Sequence, residues 1–273
     1  MFFFATSVII AFYAQGYNFD FHTFKIVKTG GIFIKTSSTD AKIYINDKYI
    51  ESTGGILNYS YLAAGLLPRN YNVFVYKEGY YPWNKVIEVK DGLVAELNNI
   101  ILLPLQLKTI KIAEIPFQTI SEFTVGKETF EVKNDNAKTT RVYDFSGKLI
   151  SGGKFKIATS SEEILSPDKD KKIYVSDNKI FINYLKNTTP NFIASFEEPV
   201  KLLDWFRDSE HIIWFSGSDL AIAELDNQGG KRNIVKFYLN IEPPFYFDRS
   251  NSDFYFLETS GKKTILYRLN LKS

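Results

Sequence analysis

The stretch that decides the fold runs GGIFIKTSSTDAKIYIN from Gly30 to Asn46, NYNVFVYKEGYYPW from Asn70 to Trp83, and KVIEVKDG from Lys85 to Gly92. Apolar and polar residues alternate through it, and successive side chains of a strand face opposite sides of a sheet. Ile32 and Ile34 therefore share one face. Ala41, Ile43 and Ile45 share another, with Lys42, Tyr44 and Asn46 opposite, and Tyr71, Val73 and Val75 form a third row. Asn46-Asp47-Lys48 supplies a hairpin turn, and Lys77-Glu78-Gly79 puts a glycine where a tight connection needs positive φ. Ile87 and Val89 make a further strand, closed by Asp91-Gly92, a dipeptide common in hairpins. Short strands between turns at about 8–12 residue spacing predict an antiparallel β-sandwich.

At these residues the chain resembles the PEGA family, small β-sandwich modules found mostly in surface and envelope proteins of bacteria and archaea. The resemblance is carried by Gly31-Ile32-Phe33-Ile34, by Ala41-x-Ile43-Tyr44-Ile45-Asn46, and by Pro68-x-x-Tyr71-x-Val73-x-Val75-x-Lys77-x-Gly79-Tyr80. Ser38-Thr39-Asp40-Ala41 stands where the family's tetrapeptide belongs, and Arg69-Asn70 replaces the usual glycine after Pro68. The resemblance implies a sandwich outside the cytoplasm and no catalytic residues.

The chain has 273 residues, 45% of them hydrophobic, enough for two packed cores. Its aromatics, 24 Phe and 17 Tyr, lie in Ile- and Val-rich stretches that favour strands. The 33 basic residues are interspersed with 31 acidic ones and form no basic stripe, so no nucleic acid is expected as a partner. With no cysteine, neither a disulfide framework nor a thiolate metal site is available.

Residues 1–17, MFFFATSVIIAFYAQGY, carry no charge, and the apolar run Phe2–Ala14 is shorter than the roughly 20 residues that cross a bilayer. A signal-anchor helix, a cleaved signal peptide and a buried first strand are three readings of it. Lys25 and Lys28 follow the segment, which by the positive-inside rule mildly opposes an outside body. The order of apolar start and sandwich nevertheless is similar to that of membrane-anchored PEGA proteins, and the expectation is a membrane-anchored chain with its bulk extracytoplasmic.

A boundary falls at Leu103-Pro104-Leu105, after a last strand predicted over Asn99 to Leu103, because proline cannot donate to a sheet ladder. The sandwich spans 30–103 and a second β region 108–273. In the latter a polar turn followed by an apolar strand recurs. Ser166-Pro167-Asp168 precedes Lys172–Val175, Trp205–Asp208 precedes His211–Phe215, and Phe247–Ser250 precedes Phe254–Leu257. The next strands, Lys179–Ile182, Asp219–Ala223 and Thr264–Leu269, keep the same register. A period of about 40–42 residues is that of a four-stranded propeller blade. The region resembles WD-repeat and TolB-like propellers, and Arg141–Lys148 reads as the end of an earlier blade. Three to four blades are expected, in a small or incomplete propeller or an open stack with exposed edge strands. A plain β-sandwich is the alternative for this region.

The fold expected is therefore all-β, a small PEGA-like β-sandwich followed by a partial or small β-propeller-like region, with a short N-terminal apolar helix. His22 and His211 lack the neighbours of a metal site, and Asp208-Ser209 beside His211 reads as a blade turn, not a triad. Gly261-Lys262-Lys263-Thr264 lacks the first glycine of a phosphate loop, Phe256 standing there, and reads as a hairpin. Asp168 and Asp170 alternate with lysines and read as a solvated turn instead of a calcium loop. Glu162-Glu163 and Glu197-Glu198 read as surface charge. Asn58-Tyr59-Ser60 and Asn187-Thr188-Thr189 match the glycosylation acceptor pattern and are assigned no role. The aromatics Tyr80, Tyr81 and Trp83 form the candidate binding patch, for a sugar or a partner, with core packing as the other reading. No cofactor and no catalytic residue is expected. The functional expectation is a non-catalytic surface protein that binds an envelope protein or cell-surface polysaccharide and meets the membrane through its N-terminal segment. The alternative is an extracytoplasmic hydrolase with carboxylates in a propeller funnel.

Overall fold

A computed structural model describes residues 2–38, 40–50, 60–116, 119–134, 139–154, 163–187 and 189–272. Two compact units result. The first comprises residues 1–105, 227–233 and 273, the second 106–226 and 234–272.

The first unit opens with helix α1 (Phe2–Ala14). Its strands are β1 (Tyr17–Asp20), β2 (Lys25–Lys28), β3 (Gly30–Thr36), β4 (Lys42–Ile45), β5 (Lys48–Ile50), β6 (Ser60–Leu66), β7 (Asn70–Tyr76), β8 (Trp83–Glu88) and β9 (Val94–Ile100). They form two packed sheets, ordered β6-β3-β9 and β5-β4-β7-β8, beside the separate pair β1-β2. The predicted rows meet between the two sheets. Ile32, Ile43, Val73, Val75 and Ile87 have no exposed surface at all, while Ile34, Ala41, Ile45, Tyr71 and Val89 are buried with them. Asn46 and Asp47 both have positive φ, 47° and 64°, and join β4 to β5 in the two-residue hairpin whose twist suits antiparallel strands.

Two expectations for this unit change. Asp91-Gly92 does not close a hairpin, because β9 leaves the sheet of β8 and joins the other one, parallel to β3. The sandwich is thus not wholly antiparallel. The crossover is a turn in which Leu93 N donates to Lys90 O, and Gly31 N then donates to Leu93 O at 3.0 Å. Gly30 makes the approach possible, since a Cβ there would lie 2.5 Å from Leu93 O and 2.6 Å from Lys90 O. Gly30→Ala is expected to destabilise by about 1–3 kcal/mol, the usual cost of overpacking, read as a lower urea midpoint. The last strand also lies earlier than predicted, over Val94–Ile100 instead of Asn99–Leu103. Leu102 and Leu103 are buried beyond it without strand pairing, and Tyr81 N donates to Leu103 O at 2.8 Å.

The second unit contains β10 (Thr109–Pro116), β11 (Ile120–Val125), β12 (Thr129–Asn134), β13 (Thr139–Asp144), β14 (Leu149–Lys154), β15 (Ile164–Leu165), β16 (Lys171–Ser176), β17 (Lys179–Tyr184), β18 (Asn191–Ser195), β19 (Val200–Trp205), β20 (His211–Ser216), β21 (Asp219–Glu224), β22 (Ile234–Tyr238), β23 (Phe245–Asp248), β24 (Asp253–Ser260) and β25 (Lys263–Asn270). They make four four-stranded sheets, β11-β12-β13-β14, β15-β16-β17-β18, β19-β20-β21-β22 and β10-β25-β24-β23. The predicted repeat strands are β16 and β17, β20 and β21, β24 and β25. Arg141–Lys148 covers the third strand of the first sheet and the turn after it, where Asp144 Oδ1 accepts the Ser146 and Lys148 amides.

The open-stack expectation is corrected at the ends of this region. Its first strand, β10, pairs antiparallel with its last, β25, from Thr109↔Leu269 to Pro116↔Lys263. β25, which would otherwise be a free edge, therefore lies inside its sheet, with β10 as the outer strand. Adjacent sheets share cores. Ile173, Ile180 and Ile182 pack with Trp205, Ile212 and Trp214, while Phe123, Phe130 and Tyr143 pack with Tyr255 and Leu266. Phe215 stacks on Phe254 and Phe206 on Phe247, linking the third and fourth sheets.

Candidate functional site

The repeat turns carry several buried polar groups, among them Ser166, Ser209 and Ser252. Asp168 N donates to Ser209 Oγ at 3.0 Å, and Lys171 Nζ bridges Asp168 Oδ2 at 3.1 Å and Glu210 Oε1 at 2.8 Å. Trp205 Nε1 donates to Ile164 O at 2.9 Å, Arg207 Nε to Ser252 Oγ at 3.1 Å, and Arg249 pairs with Asp204. Except for Lys171 with Asp168, each bond joins residues separated by about one repeat, so each spans adjacent sheets. The turn residues are thus locks between blades.

Electrostatics in the turns follows from this role. The Ser166 hydroxyl, donating to Oδ1 at 2.5 Å, is the main reason that the Asp168 carboxyl sits well below the ordinary carboxylate range; desolvation opposes it, and Asp170 N–H and Lys171 assist. Burial would lower the Lys171 pKa, but Glu210 and Asp168 outweigh it and raise the value. At Asp204, burial pushes the carboxyl up against the opposing pull of Arg249. A depressed carboxylate stabilises the fold above its unfolded value of 3.8, and the contribution is lost as pH falls through the folded value. Lys171→Met is accordingly expected to cost about 1 kcal/mol at pH 7, modest because both partners are partly solvated, and the difference from wild type to shrink below pH 3.8. Denaturant titrations at pH 7 and at about pH 2.5 check it.

The other candidates fall into place. His211 is buried with Nδ1 3.0 Å from both Asp208 oxygens, and Asp208 Oδ1 also accepts the Glu210 and His211 amides. The neighbouring Ser209 hydroxyl is turned to Asp168, so Asp208, Ser209 and His211 form a capped turn and no catalytic relay. His22 lies in an exposed turn, its amide donating to Asp20 Oδ1. Gly261 and Lys262 are the two turn residues of the β24–β25 hairpin, with Gly261 at φ 59°. Among the described residues no group of three or more His, Cys, Asp or Glu side chains gathers as a metal site would require. Glu163 pairs with Lys172, whereas Glu162, Asn58, Tyr59 and Thr188 lie outside the described residues.

Of the two readings of Tyr80, Tyr81 and Trp83, core packing describes Trp83. Trp83 is 5% exposed and belongs to the sandwich core, because it is the first of the inward positions of β8, followed by Lys85 and Ile87. Tyr80 packs on the same core with Lys77 Nζ 4.4 Å from its ring centroid, and Tyr81 is half-buried.

Sequence reading missed a cavity of about 680 Å³ in the second unit. Thr109, Ile120, the loop Asn240–Pro244, the strand residues Phe256–Thr259, and Thr264 line it. Its rim carries the exposed carboxylates of Glu242 and Glu258. Thr264 is 2% exposed and its Oγ1 has no hydrogen-bond partner among the described residues, an arrangement that normally calls for a water or a ligand group. Carboxylates and hydroxyls suit a polyhydroxy ligand, offering acceptors to its hydroxyls. No sequence signal marks this site, whose lining comes from segments distant in sequence.

Residues 29–101 match the PEGA domain family. No curated protein matches the sequence. Among solved structures, the chain is similar to Hsv2p of Kluyveromyces lactis, at 11% identity and a TM-score of 0.25, over 82% of this chain and 69% of that one. A second Kluyveromyces lactis Hsv2 structure is similar at 9% identity and a TM-score of 0.25, over 83% of this chain and 71% of that one. Likeness at that level carries no weight for function.

Proposed function

We propose that this protein is a non-catalytic, membrane-anchored envelope protein that binds a protein or polysaccharide through its β modules. The match of residues 29–101 to the PEGA domain carries the reading, since that module implies presentation outside the cytoplasm and no catalysis. The cavity around Thr264, rimmed by Glu242 and Glu258, supplies groups suited to sugar hydroxyls. Isothermal titration of the purified chain against defined envelope polysaccharides tests it. Saturable binding is expected, weakened about tenfold by Glu258→Ala, the equivalent of one charged hydrogen bond. Absence of binding to every polysaccharide and envelope protein tried, together with hydrolase turnover, would overturn it. Placement of the bulk of the chain outside the cytoplasm is checked separately by protease added to intact cells, which is expected to digest the second unit without lysis.

A further inference from the structure

Among the described residues, strands β1 and β2 pair only with each other. An isolated two-stranded ribbon is marginal in water and needs a surface to pack on. In the register Tyr17↔Lys28 and Phe19↔Ile26, four alternating positions share one face, and three of them are apolar. That face is uncovered. Phe19 is 39% and Ile26 60% exposed, and the turn beyond them presents Phe21 and Phe24 at 79% and 78%. The rings touch, with Phe19 edge-on to Phe21 at 4.9 Å and to Phe24 at 6.3 Å. The apolar surface continues at the other end into α1, where Phe12 meets Tyr17 edge-on at 5.6 Å.

The identity of what covers this surface follows from α1 and from charge. The helix FFFATSVIIAFYA has no charged residue, and Ile10 and Tyr13 are themselves exposed at 66% and 73%. Exposed apolar patches of this extent mark protein or membrane contacts, and a helix without a polar charged face belongs in a core or in lipid. No described helix is long and apolar enough to cross a membrane. Thirteen residues rise only about 20 Å against a hydrocarbon thickness of about 30 Å. The ribbon adds apolar area where the helix ends. It also carries Lys25 and Lys28 against a single acid, Asp20, whose carboxylate accepts the His22 amide and the Thr23 hydroxyl within the turn. A net positive, aromatic-tipped element fits an anionic lipid surface, and lysine stems reach headgroups while leaving their apolar parts buried.

We propose that the hairpin Tyr17–Lys28 is a lipid-inserting element, its Phe21 and Phe24 rings entering the headgroup–acyl boundary of an anionic bilayer beside α1. The inference rests on the membrane-anchored reading above and adds a second, separable contact to it.

The absence of cysteine makes the test clean. Phe21→Cys, Phe24→Cys and, as a control on the exposed β4–β5 hairpin, Tyr49→Cys are each labelled in the full chain with an environment-sensitive fluorophore. The chains are mixed with vesicles of phosphatidylcholine and phosphatidylglycerol with or without brominated acyl chains. Probes at 21 and 24 are expected to shift to the blue and be quenched by brominated lipid, while the probe at 49 does neither. Phe21→Asp combined with Phe24→Asp is expected to weaken vesicle partitioning at least about tenfold, from the apolar area withdrawn, with unchanged thermal unfolding. Vesicle retention with probes 21 and 24 still in water overturns the hairpin inference and leaves anchoring by α1 standing. No retention at all overturns both. A vesicle-free dimer that the double variant dissociates, with both probes unquenched on vesicles, assigns the surface to a second copy of the chain and also overturns the proposal.

Discussion

Trp205→Ala is expected to be the most damaging single truncation in the repeat region, costing about 3–5 kcal/mol. Trp205 has no exposed surface, and its ring sits in the core that the second and third sheets share. Its indole Nε1 also donates to Ile164 O at 2.9 Å, so truncation leaves a cavity and removes a donor from a carbonyl on the neighbouring sheet. Trp205→Phe separates the two effects, filling most of the volume while losing the bond. The expected order of stability is wild type, Trp205→Phe, Trp205→Ala, read by urea denaturation with hydrogen exchange at β16 and β20 amides. Equal losses for both variants would show that the hydrogen bond, and not the packing, ties the sheets together.

Ile43→Ala is expected to lower the stability of the sandwich by about 2–4 kcal/mol, whereas Tyr44→Ala next to it costs about 1 kcal/mol or less. The residues are neighbours in β4 but face opposite sides. Ile43 is fully buried against Val73 and Val75, while Tyr44 is half-buried on the outer face, its ring 5.7 Å from Tyr49 and 6.1 Å from Phe74. Exchange protection of β7 amides reads the effect within this unit. Comparable losses at 43 and 44 would mean that the outer face is covered by something in solution.

The contrast between Ile43 and Tyr44 shows why so much of the sandwich was legible. Alternation is a local property, and burial on one side of a sheet leaves its mark at every second residue. Rows such as Tyr71-Val73-Val75 therefore fell where expected, as did the turns at Asn46-Asp47 and Gly79. The repeat region was legible for a related reason. Each blade must turn, enter its strand and meet its neighbour in the same way, so the chemistry recurs every 40 or so residues. The inter-sheet partners Lys171 and Glu210, or Asp204 and Arg249, stand about one repeat apart, a spacing that charge pairing would have revealed.

The misses have one cause. Asp91-Gly92 has the composition of a hairpin turn, yet Gly30, far away in sequence, has no side chain to keep the crossover out. The cavity around Thr264 gathers Thr109 and Ile120 with the loop Asn240–Pro244 and β24, segments far apart in sequence.

The amino-acid sequence by itself determined the all-β class, the buried faces of β3, β4, β7 and β8, and the repeat of turn and strand. Tertiary structure alone decided that β9 runs parallel to β3, that β10 closes onto β25, and that Phe21 and Phe24 stand uncovered at the tip of a ribbon. Side-chain patterns record which face of a strand is buried, because burial selects residue types. Backbone ladders record nothing about their partners, because every strand offers the same N–H and C=O groups.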